Sequence, residues 1–289
     1  MMPLVSSTPM LQAARAGGYC IGAFNVHTLE MLQAVVEAAV ETESPLIIQS
    51  TVGTVKHLGP EYIAAAATVA SNMNRIPIAL HLDHCTEFDL IVRCIRAGYT
   101  SVMIDASHSP FDENVRQTQR VVEVARPAGV NVEAELGKVG GVEDEIVVAD
   151  NEALMADPEE CVKFVELTGV PTLAPAIGTA HGIYKGEPKI DFDRIKRIAS
   201  LVDVPLVLHG GSGIPEEQVR RAVSLGMAKM NVATELRIVF SDAIKAIFAQ
   251  NPEENDPRKY MVPAKKALKE AAIEKMRLCG SFGKAKDFR

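Results

Sequence analysis

Eight short β-rich apolar runs recur along this chain, alternating with stretches of helical spacing. That rhythm constrains the fold more than any other feature. The runs are Cys20–Val26, Leu46–Ser50, Ile78–Asp83, Ser101–Asp105, Asn131–Glu135, Thr172–Ile177, Leu206–His209 and Ala228–Val232. Between the first two, Thr28–Thr42 places Leu29, Leu32, Val36, Ala39 and Val40 on one helical face. Asp191–Leu201 repeats the pattern with Ile195, Ile198 and Val202, and Asp191 stands where an N-cap belongs. Pro215 followed by Glu216 and Glu217 marks another helix start. A short opening helix, Pro9–Ala16, stops at Gly17 and Gly18, and two helical stretches, Ala233–Gln250 and Arg258–Leu278, follow the last strand.

Strands that alternate with helices pair in parallel through right-handed crossovers. Eight such units in about 230 residues predict an α/β fold of the (β/α)8 TIM-barrel type rather than a doubly wound sheet. No Pro/Gly/Ser-rich linker divides the chain, so residues 1–289 are expected to form a single domain. Its C-terminal helical extension would cover about 233–280. Leu136–Asp157 has no clear period, is rich in glycine (Gly137, Gly140, Gly141), and reads as a long loop after the fifth strand.

Composition narrows the partners. With 30 Lys+Arg against 37 Asp+Glu the net charge is −7, so nucleic acid is not expected as a partner. At 47 % hydrophobic residues the chain is globular rather than disordered. No apolar run approaches a membrane span, and Met1–Ala16 lacks the basic start and apolar stretch of a secretory leader. Five scattered cysteines (Cys20, Cys85, Cys94, Cys161, Cys279) without a C-x-x-C pair suit buried thiols in a reducing, cytoplasmic setting. Cys85, beside His84, is expected to pack rather than react.

In such a barrel, chemistry sits at the C-terminal ends of the strands. Those ends carry Asn25 and His27, Ser50, Asp83 and His84, Asp105 with Ser107 and His108, Glu133 and Glu135, Gly178–His181, His209, and Asn231. Five of the seven histidines therefore fall in these short windows. His84, His181 and His209, from three strand ends, suggest one zinc ion with a coordination position left for substrate or water. Asp83 shares its parity with His81 and should point toward the barrel axis, where a carboxylate can support a ligand or move a proton. His81 is expected deeper. Asp105 and Glu135 are further metal ligands, supports for the ligands, or structural partners.

Two segments suit a phosphate. His209–Gly213 opens a helix after strand seven and Asn231–Thr234 opens one after strand eight, where barrels commonly bind phosphate on backbone N–H groups. Gly210 and Gly211 permit close approach, and Ser212 and Thr234 add hydroxyls that would serve helix capping equally well. No G-x-x-x-x-G-K-[ST] or strand-linked G-x-G-x-x-G occurs, so a nucleotide is not indicated.

These residues carry a resemblance. Ala79-Leu-His-Leu-Asp-His84, Ser101-Val-Met-Ile-Asp-Ala-Ser-His108, Val132-Glu-Ala-Glu-Leu-Gly137, Gly178-Thr-Ala-His-Gly182, Leu206-Val-Leu-His-Gly-Gly-Ser-Gly213 and Asn231-Val-Ala-Thr-Glu235 stand in the order found in class II, metal-dependent ketose-bisphosphate aldolases, over nearly the whole chain. Asn231-Val-Ala-Thr-Glu-Leu236 resembles the tagatose-bisphosphate branch. Asp256-Pro-Arg-Lys-Tyr260 and the segment Glu274–Ser281 also resemble fructose-bisphosphate members.

The resemblance implies His84, His181 and His209 as zinc ligands and Asp83 as the acid/base for the substrate C4 hydroxyl. It implies Gly182, Gly210, Gly211, Ser212, Asn231, Val232, Ala233 and Thr234 as the dihydroxyacetone-phosphate site. Glu143 resembles the loop acid that moves the C3 proton, and Asp105 and Glu135 match carboxylates near the metal. Lys185 lies near the phosphate segment as a candidate phosphate contact, and Arg258 resembles a basic group serving the distal phosphate from a neighbouring subunit. The resemblance also implies a monovalent cation (Na+ or K+) near the phosphate and a homodimer or homotetramer, and tagatose-type members can work with a separate stabilising subunit. The reaction implied is reversible cleavage of tagatose- or fructose-1,6-bisphosphate, or of another phosphorylated ketose.

Two rival chemistries are open to the same chain. Lys229, of the same parity as Asn231, is a candidate Schiff-base lysine for a metal-independent aldolase. The three histidines would also serve a zinc hydrolase. A barrel without catalysis would have no need of Asp83 and the three histidines together.

Overall fold

In a computed structural model the chain is described over residues 3–143, 146–148, 154–184 and 186–288, with the backbone alone at 142–143 and 146–148. Eight parallel strands close into a barrel: β1 (Ile21–Asn25), β2 (Leu46–Thr51), β3 (Ile78–Cys85), β4 (Ser101–Ile104), β5 (Asn131–Leu136), β8 (Thr172–Pro175), β10 (Leu206–Leu208) and β11 (Met227–Val232). Among the described residues, three short strands outside the barrel, β6 (Gly140–Glu143), β7 (Ile146–Val148) and β9 (Ala180–His181), form a small second sheet. Strand β1 pairs with both β2 and β11, which closes the ring. Each predicted run thus holds a barrel strand, with ends that agree to within two residues.

Helices connect the strands: α2 (Leu29–Glu41), α3 (Val52–Leu58), α4 (Pro60–Met73), α5 (Phe88–Ala97), α6 (Phe111–Ala125), α7 (Pro158–Thr168), α8 (Phe192–Leu201) and α9 (Glu216–Ser224). Thr28 caps α2 by accepting from the Met31 N–H, and Asp191 caps α8 by accepting from the Arg194 N–H. Helix α1 (Ser7–Gly17) precedes the barrel, and α10 (Thr234–Gln250) and α11 (Pro257–Leu278) follow it. Helix α11 lies on α2, where Lys265 meets Glu37 at 2.6 Å and Lys269 meets Glu41 at 2.7 Å. No helix among the described residues is long and apolar enough to cross a membrane.

Strand alternation sorts side chains into two populations. The outward set, including Phe24, Leu46, Ile48, Leu80, Leu82, Val132, Ala134 and Val232, packs under the helices as the main apolar core. Inside, a smaller apolar cluster gathers Met10, Leu11 and Ala14 of α1 with Ile21, Ala23, Ile47 and Ala79. Above that plug the interior turns polar. Asn25, Gln49, His81, Asp83, Ser101, Asn131, Glu133, Glu135, Lys229 and Asn231 are all buried. Buried polar groups persist when they satisfy one another, so this dense interior marks where the chain departs from stability alone.

The segment read as a loop, Leu136–Asp157, contains two strands. Strands β6 and β7 form an antiparallel hairpin, and β6 pairs in parallel with β9. Glycine concealed it, because Gly140 and Gly141 give no strand signal. Gly141 adopts φ 100°, and a Cβ there would sit 2.1 Å from the His181 carbonyl oxygen. Only glycine lets the hairpin close onto the strand that carries His181.

Candidate active site

Strand β3 delivers two consecutive residues to the same site. In a regular strand Asp83 and His84 would face opposite sides. Here the register of β3 against β4 shifts between Leu82 and Cys85, and His84 takes φ 45°. The left-handed residue re-aims the chain, as bulges near active sites do. Asp83 then points across the barrel and His84 joins the other histidines.

Asp83 is fully buried in a cradle of amides. Its Oδ2 accepts from Asn25 Nδ2 at 2.9 Å and from Gln49 Nε2 at 3.2 Å, and its Oδ1 from Asn231 Nδ2 at 3.1 Å. Three strands therefore fix one carboxylate. The amide of Gln49 also donates to Asn25 Oδ1 at 2.6 Å, which locks the cradle itself. Gln49 went unrecognised in the sequence, although its inward parity in β2, one strand from His81, was the available signal.

The three histidines predicted as ligands converge. Ring centroids lie 4.8 Å apart for His84 and His181, 4.6 Å for His84 and His209, and 5.7 Å for His181 and His209. One nitrogen from each falls within 4.8 Å of the others, and His84, Asp105 and Glu135 form a second such group. His84 is held through Nδ1 by Asp105 Oδ2 at 2.9 Å. His209 is held through Nε2 by Glu133 Oε1 at 2.9 Å. Carboxylates bonded to the far nitrogen of a histidine are the usual supports of metal ligands.

A direct sign that these donors fit a cation lies at His209. Its Nδ1 and Glu135 Oε2 are buried, 3.3 Å apart, and neither makes a hydrogen bond. Two such atoms left unsatisfied in a buried site call for a shared positive partner. The charges around the site agree. Burial works against a charged His209 ring, but the carboxylates of Glu133 and Glu135 outweigh it and raise the ring to about 9. Burial would raise Asp105, but the bond and charge of His84 hold its carboxyl well below the usual range. Glu133 is likewise held low against burial, first by the Lys229 ammonium.

Beside the histidines opens a cavity lined by His181, Gly182, Gly210, Gly211, Ser212, Asn231, Ala233 and Thr234. Seven of the predicted phosphate-site residues line it; the eighth, Val232, does not, because its side chain lies in the outer core. Parity explains this, since Asn231 faces inward and its neighbour must face out. Gly210 takes φ 67° and a Cβ on it would meet the Ala180 carbonyl oxygen at 2.3 Å. The Ser212 hydroxyl accepts from the N–H groups of Ala233 at 3.4 Å and Glu235 at 3.3 Å, so it caps α10 while lining the cavity. Tyr184, which no local sequence pattern marks, ties the walls together: its hydroxyl accepts from the Ala180 N–H at 3.0 Å and donates to the Gly210 carbonyl at 2.9 Å.

A model of the family described as fructose-bisphosphate aldolase class-II matches residues 5–284. This chain belongs to that family. The aldolase is also similar to solved structures across almost its whole length. The YdjI aldolase from Escherichia coli K12 is 35 % identical, with a TM-score of 0.86, covering 98 % of this chain and 99 % of that one. A candidate fructose-1,6-biphosphate aldolase from Coccidioides immitis is 30 % identical, with a TM-score of 0.88, covering 96 % and 97 %. The Campylobacter jejuni fructose-bisphosphate aldolase shares the fold at 24 % identity and a TM-score of 0.84, covering 98 % and 97 %.

The remaining predicted residues of the aldolase fall as follows. Glu143 lies on β6, with its side chain outside the described residues, and Lys185 lies outside them altogether. Arg258 opens α11 with its side chain 86 % exposed and forked onto Asp256 at 2.8 Å, away from the cavity lining of its own chain. Cys85 packs in the main core with its thiol pushed up to about 11 by burial, which suits packing rather than attack. Lys229, the Schiff-base alternative, is buried against Glu133 at 2.8 Å, and membership of the metal-dependent family sets that alternative aside.

Proposed function

We propose that this aldolase reversibly cleaves a ketose 1,6-bisphosphate, tagatose- or fructose-1,6-bisphosphate, to dihydroxyacetone phosphate and glyceraldehyde 3-phosphate. We infer one catalytic zinc ion held by His84, His181 and His209. The observation that carries this reading is the amide-cradled Asp83 next to three histidines whose nitrogens approach within 4.8 Å. Imidazole donors suit zinc. Bound there, zinc supplies a Lewis acid for the negative charge that cleavage of C3–C4 leaves on the three-carbon fragment.

The chain's own residues do the rest. Asp83 takes the proton of the C4 hydroxyl as the bond breaks and returns it in the condensation direction. Asn25, Gln49 and Asn231 keep its oxygens in place through that transfer. Backbone N–H groups at Gly210–Ser212 and Ala233–Thr234, with Gly182, hold the phosphate of the three-carbon fragment and align it for reaction. Glu143 moves the C3 proton. Lys185 and Arg258 serve phosphate, Arg258 from a neighbouring subunit of a homodimer or homotetramer, which accords with its outward position. A monovalent cation, sodium or potassium, accompanies the phosphate, and a stabilising subunit belongs to the same reading. We take residues 1–289 as one functional unit in the cytoplasm, where five buried free thiols stay reduced.

A coupled assay of the zinc-loaded protein on tagatose- and fructose-1,6-bisphosphate side by side tests this function. Release of dihydroxyacetone phosphate from at least one is expected. Release from neither, with another phosphorylated ketose cleaved instead, would transfer the reading to that sugar.

A further inference from the structure

The mechanism above uses neither charge of a buried ion pair beneath the histidines. Lys229 is 1 % exposed and its Nζ lies 2.8 Å from Glu133 Oε2. The other oxygen of that carboxylate, Oε1, accepts from His209 Nε2 at 2.9 Å. One carboxylate thus joins a lysine to a ligand histidine, one oxygen to each. An imidazole bonded this way carries its proton on Nε2 and keeps Nδ1 for a cation. Nδ1 is the His209 atom that is buried without a hydrogen bond. At His84 the arrangement is reversed, with Asp105 on Nδ1.

Lys229 is itself fixed from below. Its Nζ lies 3.5 Å from His81 Nε2, and His81 Nδ1 lies 2.7 Å from the Ser101 hydroxyl. Ser101 Oγ accepts from Ser7 of α1 at 3.0 Å and from Asn131 Nδ2 at 3.3 Å. A connected polar column therefore runs from the plug helix to the metal-site histidine. An ammonium buried without function is costly, and an apolar side chain of equal length would fill the same space. Its retention needs a reason in the site.

We propose that Lys229 is a positioning residue for the metal site: it pins Glu133 so that Glu133 holds His209 with Nδ1 turned to the cation. This rests on the reading of His84, His181 and His209 as metal ligands. Lys229→Met alone leaves Glu133 as an uncompensated buried carboxylate and can unfold the chain. Lys229→Met/Glu133→Gln removes both charges at nearly constant volume.

Zinc affinity, measured by chelator competition in the full chain, is expected to fall by about 10- to 100-fold in the double variant. The melting temperature of its metal-free form should change little, while the rise on adding zinc shrinks. Zinc bound as tightly as by the unaltered protein would overturn the proposal. The unaltered zinc-loaded protein gives a readout that no folding failure can obscure. Spectra of 15N-histidine, assigned with His209→Gln, are expected to show His209 protonated at Nε2; protonation at Nδ1 would overturn the proposal. Absence of zinc binding by the unaltered protein would remove the metal reading, and the proposal with it.

Discussion

Asp83 and His84 are consecutive residues of one strand, yet both reach the same site, because His84 stands at φ 45° beside a break in the β3–β4 register. The strand thereby places a buried carboxylate next to one of the three clustered histidines with no intervening loop to loosen either. Strained backbone at a functional residue persists when its surroundings over-determine it, and here His84 is also tied to Asp105 at 2.9 Å.

Removing the carboxylate should separate chemistry from binding. Asp83→Ala is expected to keep the fold and the metal and to lose cleavage by about 10²- to 10⁴-fold, the range for loss of a general base. Metal analysis and a coupled assay on the same preparation check both halves. Unchanged turnover would remove the acid/base role.

Substitution at Gly141 should act on the metal site through the backbone. A Cβ there meets the His181 carbonyl oxygen at 2.1 Å, and φ is 100°. Gly141→Ala is expected to push β6 off β9 and destabilise by about 1–3 kcal/mol, the usual cost of such strain. Zinc retention after gel filtration should fall with it. Full zinc content together with an unchanged melting temperature would show that the hairpin does not brace His181.

The metal-free protein should be most stable near pH 6.5. The His209 ring is raised to about 9, so it binds its proton more tightly folded than unfolded. That contribution is complete below 6.5 and is lost as pH rises through about 9. His81 is pushed well below 6.5 by burial and by the Lys229 charge, so its contribution is lost as pH falls below 6.5. Melting temperatures from about pH 5 to about pH 9 check the sign. Zinc, taking the place of the proton on His209, should shift the alkaline loss upward. A melting temperature that climbs from pH 6.5 to 9 without metal would contradict the assignment.

Much of this was legible in the sequence because each barrel strand is a short apolar run and each strand end is a short polar one. His84, His181 and His209 were found by asking what ends each strand. Gln49 and Tyr184 were not, because their work is pairing with residues far away in sequence, Asp83 and Gly210, and no local pattern encodes that. The β6–β7 hairpin was hidden by glycines chosen for close approach rather than for strand propensity. The side chain of Val232 lies away from the cavity for a simpler reason: a motif names consecutive residues, whereas a strand turns only alternate side chains to one face.

Lys229 shows the converse. The sequence marks it as an inward lysine and leaves its role open between catalysis and structure. The 2.8 Å contact with Glu133 decides that it is already engaged, and the family's dependence on metal removes the Schiff-base use.

His209→Ala extends the same logic to the ligand set. It removes the nitrogen beside Glu135 Oε2 and leaves two buried carboxylates, Glu133 and Glu135, without their histidine. The variant is expected to purify without stoichiometric zinc. Stoichiometric zinc in it would count against His209 as a ligand.

The most direct test of the whole account is metal removal and return in one sample. The protein stripped with a chelator should release no dihydroxyacetone phosphate above background from either bisphosphate, and one equivalent of zinc should restore the release. Undiminished cleavage by the metal-free protein would contradict a metal-dependent site at His84, His181 and His209.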